Sequence, residues 1–305
     1  MKHETAVEEK FSIVKFAPTI LGTFALVLVY AYFVMPTSMW NAQWGELASH
    51  WYWFDLEVLG IFLASQKFNC FAEYFFHRYV LHAPVIPGLN RLFRQHHDVH
   101  HNLTPVTAVP RDNPTKWMNK FAIVSSWQYP ASFFPSYSYL GFVVACSPII
   151  VLLQWLVPSW PIAIVMVGSI GWSLVSYELI HAVEHLDEEK FWNGFVFKIA
   201  RRLGMENAAK KVYSFHVFHH AHIKCNEAVS GFVCGLPVAD WLFGTLKLSA
   251  DIPVNGKPVT PADLAVPRPR FALIRYFDSF VEPAIAAFRE RKRIKVAFAA
   301  ATPLI

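Results

Sequence analysis

Apolar residues in this chain come in long blocks rather than at every second or every third-to-fourth position. No charged residue occurs from Phe16 to Met35, a run matching the roughly 20 residues needed to cross a bilayer core of about 30 Å. Pro18 falls in the first turn of that run, where a missing amide donor costs nothing. The apolar part is too long for a secretory signal, and no small-residue cleavage site follows it. A second span starts near Trp53 and runs towards Phe76, with Asp55 and Glu57 at its start and Lys67 and Glu73 interrupting it. Lys67 reads most simply as a side chain that snorkels to the interface. No charge occurs from Phe121 to Tyr177, and prolines divide that stretch. Tyr137–Val157 and Ile162 to about Tyr177 read as an antiparallel pair broken at 158–161, and Phe121–Ser136 reads as interfacial or re-entrant. The pattern therefore predicts an all-α integral membrane bundle of about four transmembrane helices in two hairpins.

Charge orients the bundle. Of 27 lysines and arginines, 26 lie in segments that alternate-span topology places on one side: 1–15, 77–120 and everything after 186. By the positive-inside bias, both termini and the 77–136 connection are cytoplasmic. The membrane is the plasma membrane or the endoplasmic reticulum, according to the cell. The same bias accounts for the net charge of +5, so the basic balance does not argue for nucleic acid. Three regions follow: 1–52 with the first span, 53–247 as the main membrane domain, and 248–305 as a cytoplasmic tail. In the tail, 250–270 is proline-rich, and Phe271–Ala300 reads as an amphipathic basic helix. Composition agrees: 54% hydrophobic and 16% charged residues exclude a disordered chain and do not suit an ordinary cytosolic enzyme. The four cysteines form no Cys-x-x-Cys pair, so neither a disulfide framework nor a zinc ribbon is indicated.

Histidine changes the picture. Of 14, twelve fall in three windows: six in 77–101, two in 181–185 and four in 216–222. His181 and His185 are four apart, on one face of a helix. His97, His100 and His101 are spaced i, i+3, i+4, as are His216, His219 and His220, and on an α-helix each triplet shares one face. His77 and His82, five apart, fit a helix less well. Spans two and four both run inward and end at the same depth, so these ten histidines form a cytoplasmic cap carrying a dimetal site. His96 and His222 read as supporting neighbours, and His3 and His50 as surface residues. Neutral imidazole suits iron, copper, nickel and zinc. An apolar substrate beside the site offers little to hydrolyse, which favours a redox metal, and two irons can activate dioxygen with two external electrons. A membrane metal transporter would need ionisable residues at mid-bilayer, which spans one and three lack. A bis-histidine haem protein would need single histidines within spans.

The series His77-Arg78-x-x-x-His82, His97-x-x-His100-His101, Tyr177-x-x-x-His181-x-x-x-His185 and His216-x-x-His219-His220 resembles the fatty acid hydroxylase / sterol desaturase superfamily. Asp240-Trp241-Leu242-Phe243-Gly244-Thr245 resembles the Asp-x-x-x-Gly-Thr signature that closes that domain, and the likeness covers roughly residues 55–247. The resemblance implies an oxygen-dependent membrane oxidase that hydroxylates or desaturates a lipid from the bilayer. Two iron ions are held by the ten histidines, and zinc is a substitute in purified material. Asn226 is followed by Glu227-Ala228, where the family often has Asn-Tyr/Phe-Gly. Tyr177, Glu178 and Asp98 are expected beside the ligands, as positioning or substrate-bordering residues. Only 15 residues precede the first span, too few for a cytochrome b5 domain. Electrons are therefore expected from a separate carrier of ferredoxin or cytochrome b5 type, docking near Arg201, Arg202, Lys210 and Lys211.

Overall fold

The computed structural model describes residues 13–86, 88–125, 128, 132–135, 137–229, 231 and 237–301. His3 and parts of the 121–136 segment lie outside the described residues. The chain is mostly helical: α1 (Ile13–Val34), α2 (Thr37–Ser49), α3 (Trp51–Phe76), the short α4 (Asn90–Phe93) and α5 (His101–Leu103), α6 (Ser138–Leu156), α7 (Ile162–Glu184), α8 (Phe197–Arg202), α9 (Glu206–Ala221), α10 (Val238–Phe243), α11 (Pro261–Leu264) and α12 (Ala272–Ala301). Three π-helical segments, His77–Leu81, Arg94–His100 and Glu188–Val196, interrupt the series.

The all-α expectation holds as a mostly helical chain, with one short two-stranded sheet that the sequence pattern did not announce. Val106–Val109 (β1) pairs antiparallel with Lys116–Asn119 (β2), with Val106 opposite Asn119 and Val109 opposite Lys116. Val106, Thr107 and Val109 are β-branched and sit between Pro105 and Pro110, so the local preferences favour extended backbone over helix.

Two compact units emerge, one of residues 1–71, 125–183 and 230–236, the other of residues 72–124, 184–229 and 237–305. In the first, Ile61, Tyr139, Val143, Ile150, Ile162, Met166, Val167, Ile170 and Leu174 form the core, with Ile20 and Phe24 of α1 against it. Ser138–Leu156 and Ile162–Glu184 are long and apolar enough to cross a membrane. Only 22% of the apolar window in α6 is buried. Leu140, Val144, Val151, Leu152, Trp155 and Leu156 are exposed along it. Among the described residues, the first predicted span contributes the apolar segment Ile20–Val29 of α1, and the second, α3, carries Asp55, Glu57, Lys67 and Glu73.

Several buried polar groups in this unit are paired with one another. The Gln66 amide donates to the Ser169 hydroxyl (2.7 Å) and carbonyl (3.1 Å), and Asn69 donates to the Ser169 and Ser173 hydroxyls (3.0 and 2.9 Å). This ladder ties α3 to α7 through polar side chains that would be costly to leave unpaired. The break at 158–161 is fastened too: Gln43 of α2 and Gln154 of α6 both donate to the Trp160 carbonyl.

The second unit has its own core of Val106, Trp117, Phe121, Trp192, Phe197, Tyr213, Val217 and Ile252. In a smaller cluster, Val281 and Ile285 of α12 pack on Ala83 and Phe93. Arg78 is buried and forks onto both oxygens of Asp278 in α12 (2.8 and 2.7 Å), while also donating to Glu227 Oε1 (3.0 Å). The amphipathic tail helix thus docks through a paired buried charge, the arrangement that makes burying a guanidinium tolerable.

Replacing Ser169 with Ala removes the hydroxyl shared by two buried amides. It is expected to lower stability by about 1–3 kcal/mol, read as a reduced thermal midpoint in detergent. An unchanged midpoint would show that the ladder carries no weight.

Candidate metal centre

The site starts from two local deviations in helix geometry. In a π-turn the amide of residue i+5 bonds back to the carbonyl of residue i. His82 N–H donates to the His77 carbonyl at 3.0 Å. Likewise the His101 amide donates to the His96 carbonyl at the end of Arg94–His100. In both segments, therefore, residues five apart are stacked along the axis. The spacing of His77 and His82, awkward for an α-helix, is the natural spacing here. The same turn moves His96 into line with His101 and rotates His97 outward.

Two groups of buried nitrogen ligands result within the second unit: His100, His185, His216 and His220 present ligand atoms within 4.8 Å of one another, and so do His77, His82, His96 and His219. His181 lies on the last turn of α7, one turn before His185. The 96–101 and 216–220 windows feed both groups, whereas His77 and His82 serve the second alone. On α9, His216 and His220 share a face, with Nε2 atoms 3.2 Å apart. His219 instead faces His82, Nε2 to Nε2 at 3.0 Å. The expectation that each triplet acts as one set on one face is therefore corrected: His96 joins the second group, and His97 stands aside. His97 is half-buried, with Nδ1 3.2 Å from His82 Nδ1 and its ring stacked on Phe93. His101 lies between the groups, Nε2 3.3 Å from His96 Nε2 and ring stacked on His220 at 4.1 Å.

Backbone carbonyls fix the direction of the lone pairs. A carbonyl oxygen only accepts, so a ring nitrogen bonded to one carries the proton, and the other ring nitrogen keeps its lone pair. His185 Nδ1–H donates to the Phe121 carbonyl (2.6 Å), His220 to Thr104 (2.9 Å), His77 to Glu227 (2.6 Å) and His219 to Cys225 (2.8 Å). All four Nε2 atoms consequently point inward as acceptors. His185 and His220 both aim at His216 Nε2 from 3.2 Å. Two imidazole nitrogens bound to a metal at 2.0–2.1 Å in tetrahedral geometry lie about 3.3 Å apart. The donor set therefore fits a cation, and a cation satisfies lone pairs that otherwise face each other. Outer partners that fix the ring in this way are a general feature of histidine metal sites. Phe121 packs at 4.2 Å on His185 and closes that side of the first group.

Acidic residues surround the clusters unevenly. Glu184 is buried, both its carboxylate oxygens lack a hydrogen-bond partner among the described residues, and Oε2 stands 4.0 Å from His216 Nδ1. Glu227 Oε2 is 3.8 Å from His77 Nδ1. Glu178 is buried on α7 and accepts from the Phe134 amide at 2.8 Å, with Oε2 unbonded. Tyr177 stacks on His181 with ring centres 5.4 Å apart. Asp98 lies 3.8 Å from the Arg289 guanidinium, turned away from both groups. His222 Nε2–H donates to the Asp263 backbone carbonyl (2.8 Å), outside both groups, and His50 pairs with Glu46 at the surface. The sequence reading set His96 beside the ligands rather than among them, ranked Glu184 below Glu178 and Asp98, and gave Glu227 no role. The five-residue spacings were the available signal for the first of them.

Burial keeps the cluster neutral. It lowers the pKa of His77 to about 4 and of His185 to about 3. It also pushes His82, His96, His101 and His219 well below the ordinary value, helped by neighbouring imidazoles. The unfolded chain takes up protons below about 6.5, while these folded rings refuse them until far lower pH. Stability of the metal-free protein is therefore expected to fall as pH drops from 6.5 towards 4, read as a falling thermal midpoint. A flat profile over that range would contradict a buried neutral cluster. Searches of family models, curated proteins and solved structures gave no match to this chain.

Proposed function

We propose that the chain is an integral membrane, oxygen-dependent di-iron oxidase of the fatty acid hydroxylase / sterol desaturase type, acting on a C–H bond of a fatty acyl or sterol-like lipid. The observation that carries this reading is the pair of adjacent, buried, all-nitrogen groups with inward lone pairs. Nitrogen sets of this kind suit iron, copper, nickel and zinc rather than magnesium or calcium. Two irons held by the first and second groups would supply the reduction of dioxygen, with two external electrons and two protons, that oxidising a C–H bond requires. The protein's own part is to hold four rings in one tautomer through the carbonyls of Phe121, Thr104, Glu227 and Cys225. It also keeps water away with Phe121, Phe215 and Phe218, all buried.

Apolar surface supports the membrane part. Exposed leucine, valine and tryptophan along α6, and Leu21, Leu26 and Phe33 on α1, suit lipid better than water. In this reading α1 and α3 complete a four-span bundle with α6 and α7. The histidine groups then face the cytoplasm, and the substrate enters from the bilayer.

A separate electron carrier of ferredoxin or cytochrome b5 type belongs to the same proposal. Residues 186–305 hold 17 basic against 11 acidic side chains, a field that steers an acidic partner. Within the proposed docking group, Glu206 holds Arg201 (2.6 Å) and Lys210 (2.9 Å) in ion pairs. Arg202 and Lys211 are therefore the freer pair of charges. Reversing them is expected to raise the carrier's apparent Michaelis constant without changing metal content. Reduction rates insensitive to both salt and these residues would remove the docking site.

The decisive experiment compares lipids from a host expressing the wild type with those from hosts expressing His219→Ala or His220→Ala. Each variant removes an inward nitrogen from a different group, so either alone is expected to abolish the oxidised product. Zinc-loaded protein is expected to fold without turnover, and iron to restore it. Oxidised lipid made by either variant, or turnover by iron-free zinc protein, would contradict the proposal.

A further inference from the structure

We propose that Asp240 is a positioning residue that fixes the second histidine group alone, by holding the 225–228 turn whose carbonyls clamp His77 and His219. The inference rests on the metal reading of that group.

The turn follows directly after α9. Its Cys225 carbonyl takes the His219 Nδ1 proton at 2.8 Å and its Glu227 carbonyl takes that of His77 at 2.6 Å. A carbonyl inside a turn can hold a ring only if the turn itself is held. Asp240, wholly buried on α10, does this with both oxygens. Oδ1 accepts from the Glu227 amide (3.0 Å) and the Thr245 hydroxyl (2.7 Å), and Oδ2 accepts from the Ala228 amide (2.9 Å). The Glu227 peptide is thus gripped through its own amide while its carbonyl faces His77.

Neighbouring residues set the same turn. Asn226 adopts a left-handed backbone, φ +58°, which asparagine tolerates better than most residues. Its side chain donates to the Phe215 and Lys247 carbonyls (2.7 and 2.8 Å) and accepts from the Lys247 amide (2.7 Å). After Asp240 the chain must return at once so that Thr245 can reach it. Gly244 makes that return at φ +76°, where a Cβ would stand 2.6 Å from the Arg270 side chain. The Asp-x-x-x-Gly-Thr spacing therefore has a local meaning: the aspartate grips the turn, the glycine reverses the chain, and the threonine hydroxyl completes the carboxylate's bonding.

Selectivity separates this role from a general structural one. The first group takes its clamps from the Phe121 and Thr104 carbonyls, on other segments that Asp240 does not touch. Loosening the 225–228 turn should free the rings of His77 and His219 and leave His185 and His220 in place.

The test is a titration of metal-free, detergent-purified protein with cobalt(II), followed by its visible absorption and by bound metal per chain. Wild type is expected to take up two equivalents. Asp240→Asn, which exposes one of the gripped donors to an amide NH2, is expected to keep one equivalent unchanged and bind the other about 10- to 100-fold more weakly. His219→Ala and His220→Ala mark the spectral loss of the second and first groups respectively. Thr245→Val, which leaves the carboxylate and both amide bonds, is expected to weaken the same equivalent by less, and it decides the matter if Asp240→Asn fails to fold. Two unchanged equivalents in both variants would overturn the proposal, as would equal loss of both equivalents in a folded variant. A wild-type chain that binds no cobalt would instead overturn the metal reading, and the proposal with it.

Discussion

An imidazole can turn a lone pair inward only if its other nitrogen has somewhere to put a proton, and the second unit of this protein depends on that requirement. Four rings meet it with backbone carbonyls, at Phe121, Thr104, Glu227 and Cys225. The carbonyls belong to segments far apart in sequence, so each clamp is also a tertiary constraint. The β1–β2 hairpin and the residues after it bring Phe121 to His185, the helix end after His101 brings Thr104 to His220, and the turn after α9 serves the other two. Burying so many imidazoles together is costly unless all are neutral, which is why their pKa values are driven down rather than up. At His216 Nε2 two such acceptor nitrogens, of His185 and His220, converge at 3.2 Å, and since one proton there cannot serve both fully, a cation is the simplest relief.

Much of the site was legible because histidine spacing survives changes in helix type. His216 and His220 are an i, i+4 pair on an ordinary α-helix, and the structure brings both into one group with His185. The second window was harder. A sequence shows that His96, His97, His100 and His101 are close, but not whether the turn beneath them is α or π. An α-turn would align His97 with His101; the π-turn aligns His96 with His101 instead. Partners acting through backbone carbonyls were not legible at all, since every residue type carries the same carbonyl. Nor was it legible that Glu184 and Glu227, rather than Asp98, stand within 4.0 Å of a ring of the two groups, because flanking position on a helix does not say which way a side chain turns.

For the fold, the helical blocks of 138–156 and 162–184 were written plainly in unbroken apolar sequence. The hairpin at 106–119 was hidden inside a stretch read as a helical cap, where β-branched residues between prolines had the stronger local preference. Charge explains the difference between α7 and α3. Polar residues of α3 such as Gln66 and Asn69 are matched by serines on α7, so α3 is a helix whose polarity is internal to the bundle rather than a clean apolar rod. The same logic governs Arg78, whose charge is met by Asp278 and Glu227 and so joins the tail helix to the turn that clamps the second histidine group.

The central claim is that nitrogen alone, in two groups, holds metal. X-ray absorption at the zinc edge of fully loaded protein, with metal per chain counted on the same sample, tests it most directly. The account predicts two zinc ions per chain and a nitrogen or oxygen shell at about 2.0–2.1 Å, with no sulfur contribution near 2.3 Å. Fewer than two ions in the fully loaded protein, or a sulfur shell, would contradict it.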